Sequence, residues 1–455
     1  MDISTIYHSQ QKFFNTNQTK SIDFRIEQLK KLKKLLESHE RELLDSIYKD
    51  FKKSAFDTYI TELYQIYHEI NLCVKKLNLW SRPKRVKSRR INFPSRAYIY
   101  TEPLGVVLVI GAWNYPYLLA LKPVVSAIAA GNTVILKPSE LTSECANMLA
   151  KIINNNFEDG YFYVQEGGVS ETQELLKYRF DKIFFTGSTQ VGKLIYKAAA
   201  EQLTPVTLEL GGKSPCIVLS DANINITAKR LVWAKFLNAG QTCVAPDYVI
   251  VHETIKEKLL EALKKEIETH YTNKVSENYT QIINQKNFDR LVGLIKEENV
   301  CHGGEINREE RFISPTILDN IGFDHVLMQQ EIFGPILPVL TFNSLRSVIT
   351  TVKKYPKPLA CYIYSNDVKS IKRILNQVSF GGGAINDSVV QLSNDTTPFG
   401  GVGMSGIGSY HGKYGFDNFS HKKSILHKVG WIELNLKYAP YSETKLKWIK
   451  RLFGV

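Results

Sequence analysis

Cys243 lies in Ala239-Gly240-Gln241-Thr242-Cys243-Val244-Ala245-Pro246, with a glycine three positions before it and small or polar neighbours. A thiol attacks as its thiolate, so a reactive cysteine needs surroundings that stabilise the anion and a backbone that carries sulfur to a cleft. Most free cysteines are simply small buried hydrophobes. Cys243 stands apart because other groups suited to carbonyl chemistry recur along the chain. Asn114, in Trp113-Asn114-Tyr115-Pro116, offers a neutral amide able to hold an oxyanion. Glu209, in Leu208-Glu209-Leu210-Gly211-Gly212-Lys213, ends a predicted strand beside two glycines, where a carboxylate can activate water. Lys137 and Glu140, in Lys137-Pro138-Ser139-Glu140, follow another strand and can hold ribose hydroxyls, and Glu331, in Glu331-Ile332-Phe333-Gly334-Pro335, is a third acid at a loop entrance. Taken singly, each has an ordinary reading: a solvated strand end for a glutamate, a turn former for an asparagine near proline.

Two glycine patterns compete as phosphate loops. Gly187-Ser188-Thr189-Gln190-Val191-Gly192-Lys193 follows the strand 183–185 and opens a helix, so its backbone N–H groups can face a phosphate. It is one residue short of a P-loop, and Leu194 stands where a Ser or Thr would bind magnesium, which weakens a nucleoside-triphosphatase reading. Gly401-Val402-Gly403-Met404-Ser405-Gly406 spells G-x-G-x-x-G, but Pro398 just before it opposes a central strand. That segment reads as a flexible loop near the site. No metal site is expected.

The elements that must position these groups follow from the apolar pattern. The spacing of Ile226, Leu231, Trp233, Ala234 and Leu237 predicts a helix over 224–238, stopped at Asn238-Ala239-Gly240, so that Cys243 falls between the helix end and a strand over 248–251. Short apolar runs at 104–110, 133–136, 161–164, 182–185 and 206–208 alternate with helical stretches, which argues for an α/β, doubly wound parallel sheet with ligands at the strand carboxyl ends. Helices over 255–271 and 285–298 and apolar runs at 313–318, 336–342 and 359–364 suggest a second α/β domain bearing Cys243. Upstream, 22–51 and 56–80 read as two amphipathic helices covering a core, followed by a basic connector at 81–90.

A chain of 455 residues suggests two or three domains. Its 44% apolar and 23% charged residues are ordinary for a globular protein and exclude a disordered one. The net charge of +13 is spread widely, concentrating only at 82–90 and beyond His421, so no nucleic-acid partner is expected. The N-terminus lacks the order of a signal peptide, and six scattered cysteines without a C-x-x-C pair point to reduced thiols and a cytoplasmic setting. The uncharged run 104–121 is long enough to span a membrane, but Gly105, Gly111 and the Asn114-Tyr115-Pro116 turn cut it into a strand, a loop and a helix.

Together, in this order, the motifs resemble the aldehyde dehydrogenase superfamily from about Phe24 to the C-terminal region. The segments carrying the resemblance most specifically are Gly240-Gln241-Thr242-Cys243 and Leu208-Glu209-Leu210-Gly211-Gly212-Lys213. Cys243-Val244-Ala245-Pro246-Asp247-Tyr248 and His411-Gly412-Lys413-Tyr414-Gly415-Phe416-Asp417 resemble its class 3 branch of fatty and aromatic aldehyde dehydrogenases. The resemblance implies a Rossmann-like NAD-binding domain (1–85 and 102–209), a catalytic domain (210–395), a small β oligomerisation extension (86–101 and 396–435), a tail (436–455) and a homodimer. Cys243 adds to an aldehyde, Asn114 and the Cys243 N–H hold the oxyanion, hydride goes to the nicotinamide, and Glu209 activates the water that hydrolyses the thioester. Lys137 and Glu140 contact the adenosine ribose, Gly187 and Ser188 in the loop closed by Gly192 the pyrophosphate, and Glu331 with Phe333 the nicotinamide ribose. Tyr115, Phe399 and Gly401 lie near the substrate or nicotinamide entrance. Glu140 favours NAD, because a carboxylate binds free ribose hydroxyls and repels a 2'-phosphate, with NADP as a second cofactor. The implied substrates are medium- or long-chain aliphatic, aromatic or apolar terpenoid aldehydes. A CoA-acylating enzyme and a non-catalytic binding protein on the same fold are the alternatives. The basic, apolar-studded tail is read as a packed or frayed terminus, or as a short interfacial helix touching membrane peripherally.

Overall fold

The structure, a computed structural model, describes residues 2–271, 279–295 and 299–453. Its frame is a pair of mainly parallel sheets. The first runs Gly406–Ile407, Val206–Glu209, Lys182–Thr186, Val106–Ile110, Thr133–Lys137, Phe162–Val164, all parallel except the short first strand. The second runs Val300–His302, Thr316–Leu318, Ile336–Phe342, Tyr248–His252, Pro215–Val218, Ala360–Tyr364, Gly382–Ile385, parallel except at its first pair. Strands buried on both faces need no polar alternation, which is why Val106–Ile110 and Ala360–Tyr364 read as continuous apolar runs.

Helices cover both faces of the first sheet. On one, Leu29, Leu32, Leu36, Leu43 and Ile47 pack with Val107, Val109 and Val124 in a single core. On the other, Ile6 and Tyr7 from a helix at Ile3–Asn15 join Leu108 and Ile110. That first helix is absent from the sequence reading, its segment being polar at most positions. The helix expected over 22–51 is two, Ile22–Ser38 and Glu40–Phe51, divided at His39. The one expected over 56–80 begins with a π turn at Tyr59–Leu63 before Tyr64–Trp80. The helix expected over 285–298 ends at Val292, and 296–298 lie outside the described residues.

A third, antiparallel sheet joins Lys84–Val86, Ser95–Pro103 and Ser420–Lys428, the last two paired over nine residues each. It takes only part of the 396–435 segment. Gly406–Ile407 instead pairs with the strand carrying Glu209, and the helix Gly412–Asn418 packs so closely on Leu118–Ala130 that a Cβ at Gly415 would sit 2.3 Å from Ser126 Oγ. Within the G-x-G-x-x-G segment, Gly403–Ser405 is thus a 3-10 turn and only its last residue, Gly406, joins the edge of the first sheet, which pins the segment where a flexible loop was expected.

Candidate active site

Cys243 sits just past the helix Ile224–Phe236, in a turn where Asn238, Ala239 and Gly240 all have left-handed backbone, with φ of 55°, 52° and 71°. This conformation is costly for Asn and Ala. Side chains hold it in place. Asn238 Nδ2 donates to the carbonyls of Asn114 (2.9 Å) and Gln241 (3.2 Å), and Gln241 Oε1 accepts from the Ile283 N–H (3.0 Å). On the other side of the cysteine, Tyr362 Oη donates to the Val244 carbonyl (2.6 Å), and Tyr115 and Thr242 share a hydroxyl hydrogen bond (2.7 Å).

The sulfur is reached from two cavities. One, of about 500 Å³, opens at the carboxyl ends of the first sheet's strands and is lined by Asn114, Lys137, Glu140, Gly187, Ser188, Glu209, Glu331 and Phe333, with Cys243 at its inner end. The other, of about 410 Å³, is lined by Tyr115, Leu118, Leu119, Trp233, Leu237, Thr242 and again Cys243, with Phe56, Ile60 and Val390 exposed at its edge. Leu119, Phe399 and Tyr410 wall both.

Asn114 is buried, and its Nδ2 donates to the Gln241 carbonyl (3.0 Å). An amide nitrogen carries two donors, so one remains for an oxyanion formed above Cys243. Glu209 is 3% exposed and neither carboxyl oxygen has a protein partner, so burial raises its pKa well above the ordinary value. Burial also pushes the Cys243 thiol up to about 12, with the charges of Glu331 and Glu209 adding to it. Glu331 is raised to about 8 by burial and by Asp247. Its loop is clamped by Lys213, which pairs with Asp247 and donates to the carbonyls of Leu327 (2.7 Å) and Gln330 (3.0 Å), while Asp247 accepts from the Ile332 N–H (2.8 Å).

The larger cavity suits the nicotinamide dinucleotide that the sequence implies. The helix Thr189–Glu201 starts at the cleft, a Cβ on Gly187 would collide with Phe185 at 2.5 Å, and one on Gly211 would meet Glu331 Oε2 at 2.1 Å, so backbone is bared where a long ligand must pass. Thr186 Oγ1, on the same wall, is buried without a partner. Lys137 and Glu140 stand together at the far end, the ammonium donating to the carboxylate (2.8 Å).

Two expected contacts fall elsewhere. Gly192 does not line the cleft: it is buried in its helix with Leu210 2.7 Å from where a Cβ would be, so its role there is close packing. Gly401 lines neither cavity and makes a tight turn against the Ser405 carbonyl. Ser188 lines the cleft, but its hydroxyl is already the N-cap of the helix, accepting from Val191 (3.3 Å). The sequence reading missed Lys122, Tyr410 and His411 in the second cavity, and it used Trp233 only as an apolar position marking its helix, whereas the side chain is 46% exposed and lines that cavity. Among the described residues there is no cluster fit to hold a metal ion.

Comparison with known proteins places these features in company. The sequence profile described as "Aldehyde dehydrogenase family" matches residues 1–425. The chain is 47% identical over 451 residues to the 4,4'-diaponeurosporen-aldehyde dehydrogenase of Staphylococcus aureus (strain NCTC 8325 / PS 47), covering 98% of each chain. It is 44% identical to the rat "aldehyde dehydrogenase, dimeric NADP-preferring", covering 91% of this chain and 92% of that one. Among solved structures, it superposes on the substrate-bound state of Staphylococcus aureus AldH with a TM-score of 0.97, at 46% identity and with both chains fully covered.

Proposed function

The chain belongs to the aldehyde dehydrogenase family, and from that premise we propose that it oxidises apolar aldehydes to carboxylates with NAD(P) through a covalent Cys243 adduct. The observation that carries this reading is that Cys243 lies where the two cavities meet, with Asn114 and Glu209 on the wall of the larger one. An aldehyde enters from the smaller cavity. The Sγ adds to its carbonyl carbon, losing the thiol proton, and the oxyanion is held by the free N–H of Asn114 and the Cys243 backbone N–H. When bound in the larger cavity, nicotinamide dinucleotide supplies the hydride acceptor. The acyl group then remains on Cys243 as a thioester. Glu209 takes a proton from a water that attacks the thioester carbon, the carboxylate leaves, and the sulfur is restored. A buried carboxyl group with both oxygens unpartnered supports hydrolysis rather than acyl transfer to CoA.

The cofactor contacts are Lys137 and Glu140 at the adenosine ribose, Gly187 and Ser188 near the pyrophosphate, and Glu331 with Phe333 at the nicotinamide ribose. Glu140 favours NAD; NADP, which the rat relative is named as preferring, is the second cofactor. The apolar rim of Phe56, Ile60, Trp233 and Val390 supports aliphatic, aromatic or terpenoid substrates, and the Staphylococcus relative is named for an apolar polyene aldehyde. The antiparallel sheet, with Ser420–Lys428 as an exposed edge strand, suits a homodimer, and the rat relative is named as dimeric. The chain is proposed to act in the cytoplasm, with peripheral membrane contact through the helix Glu443–Phe453. Among the described residues no helix is long and apolar enough to cross a membrane.

The test is NADH formation with hexanal, decanal, benzaldehyde and an apolar polyene aldehyde, with and without CoA, in wild type and Cys243→Ala. CoA-independent activity that vanishes in the variant is expected. A strict need for CoA would move the chain to the acylating enzymes.

A further inference from the structure

The smaller cavity has a polar corner that the reaction on Cys243 does not use. Four of its hydroxyl groups are already hydrogen-bonded: Thr61 Oγ1 donates to the Asp57 carbonyl (2.5 Å), Ser393 Oγ to the Val390 carbonyl (2.8 Å), and Thr242 and Tyr115 are bonded to each other. Lys122 is different. It comes from the helix Leu118–Ala130, where every other residue from Leu119 onward is buried too, and it is 4% exposed and lines the cavity. Among the described residues its Nζ has no hydrogen-bond acceptor and no ion-pair partner. His411, 3% exposed on the same wall, lies flat against Phe399 (ring centroids 5.0 Å apart, planes at 14°), and its Nδ1 is unpartnered.

Two carboxylates stand near Lys122 without bonding to it. Glu69 accepts from the Gly412 N–H through Oε1 (2.9 Å) while its buried Oε2 has no hydrogen-bond partner, and Asp395 pairs with His68 (2.8 Å). Burial lowers the pKa of Lys122, and the charges of Glu69 and Asp395 act against that. Burial and Lys122 together keep His411 neutral. As ammonium or as amine, Lys122 keeps N–H donors facing a mostly carbon-lined cavity, and buried donors are normally satisfied.

We propose that Lys122 is a specificity-determining residue, donating a hydrogen bond to a neutral oxygen on the aldehyde's chain, a hydroxyl or a second carbonyl. Apolar aldehydes that carry such an oxygen are therefore preferred over plain alkanals. A carboxylate in that place is disfavoured, because Glu69 and Asp395 already offset the lysine's charge and a further anion would go uncompensated. The inference rests on the aldehyde-oxidising reading and names the substrate class within it.

The experiment compares kcat/KM for hexanal, octanal and decanal with that for their ω-hydroxy and ω-carboxy counterparts, in wild type and in Lys122→Met, which keeps the bulk and removes the donor. The expected result is a preference of about tenfold for the ω-hydroxy aldehyde at one chain length in wild type, the gain of one buried hydrogen bond. The preference is expected to be expressed in KM and erased in the variant, with the ω-carboxy series poorest in wild type. Absence of any preference at all three lengths, or a preference that survives Lys122→Met, overturns the proposal. Failure of wild type to oxidise any aldehyde defeats the parent reading instead, so the two failures are distinct. If the variant does not fold, inhibition of wild type by α,ω-diols against 1-alkanols of equal length decides: tighter diols are expected, and equal potency overturns the idea.

Discussion

Burying a carboxyl group with both oxygens unpartnered is expensive, and Glu209 avoids the worst of that cost by holding its proton. A general base must first give that proton up. Because burial raises its pKa, Glu209 stays protonated through the ordinary carboxylate range and becomes the base only as pH climbs above it, so thioester hydrolysis is expected to accelerate with pH above that range. Glu209→Gln removes the group without changing its shape. Rapid mixing of that variant with hexanal is expected to show one equivalent of NADH per site, then turnover at least a hundredfold slower and no longer rising with pH in that window. A multiple-turnover rate equal to wild type would remove Glu209 from the mechanism. The same shift bears on stability: a carboxyl whose folded pKa is raised favours the folded state below its unfolded value, and that contribution is lost as pH rises through the folded one. The melting temperature of Glu209→Gln is therefore expected to fall less than that of wild type as pH is raised from mildly acid to alkaline. At this scale the sequence was informative for Cys243, Asn114 and Glu209, because each stands in a distinctive run beside glycine, proline or a strand end. Lys122 carries no such local mark, and His411, although it opens the run His411-Gly412-Lys413-Tyr414, was given no place at the site. Lys122 sits among leucines, valines and alanines like any helix residue, and only the packing of Gly412–Asn418 against its helix brings His411 to the same cavity.

The element that presents the nucleophile is a turn, and its shape depends on Gly240. With φ at 71°, a Cβ there would lie 2.3 Å from the Gly334 carbonyl oxygen, which belongs to the loop carrying Glu331. Gly240→Ala must therefore displace either Cys243 or Glu331. It is expected to lower kcat by a hundredfold or more and to reduce the melting temperature, since left-handed alanine adds about 1–2 kcal/mol to the clash. Gly430→Ala, where a Cβ meets nothing within 4 Å, is the control and is expected to change neither. Full activity in Gly240→Ala would show that the turn adapts freely. Elements of this kind mark the boundary of what pattern reading reaches. The central strands of the first sheet and Ile336–Phe342 were legible because apolar runs of that length between helical stretches have few other uses. The strand Pro215–Val218 was not, being four residues that open with proline, and neither was Gly382–Ile385, whose two glycines argue against a strand until its neighbour Ala360–Tyr364 in the sheet is known. The break at His39 and the π turn at Tyr59–Leu63 likewise answer to tertiary packing. In the latter, Glu62 is fully buried, pairs with Lys53 (2.6 Å), and caps the helix Leu118–Ala130 by accepting from the N–H groups of Tyr117 (2.8 Å) and Leu118 (3.1 Å).

For the whole molecule, the question left by a net charge of +13 is where that charge acts. Much of the protein's basic surface is scattered and serves solubility. The helix Glu443–Phe453 concentrates it: Lys445 steadies the helix by donating to the carbonyls of Tyr438 (2.8 Å) and Pro440 (2.9 Å), and Arg451 lies over the Trp448 ring (5.7 Å). Leu446, Trp448 and Leu452 are each about half exposed, so the helix offers solvent both apolar and cationic side chains. A helix of that length is too short to span a bilayer. Lying in the interface, it gains about 1 kcal/mol for each basic residue near an anionic surface, in addition to the apolar burial. Purified protein is therefore expected to co-sediment with vesicles containing phosphatidylglycerol, to be released by raised salt, and to ignore vesicles of phosphatidylcholine alone. Ending the chain after Ser442 is expected to abolish that binding while leaving oxidation of hexanal in solution at the full-length rate, since no residue of the helix lines either cavity. Vesicle binding that survives the truncation would assign the charge effect to the body of the protein, where His421, Lys422, Lys423 and Lys428 line the exposed strand Ser420–Lys428. Selective loss of decanal oxidation in the presence of vesicles, with hexanal oxidation retained, would show that the tail's task is to hold the apolar mouth of the smaller cavity at the surface where long aldehydes reside.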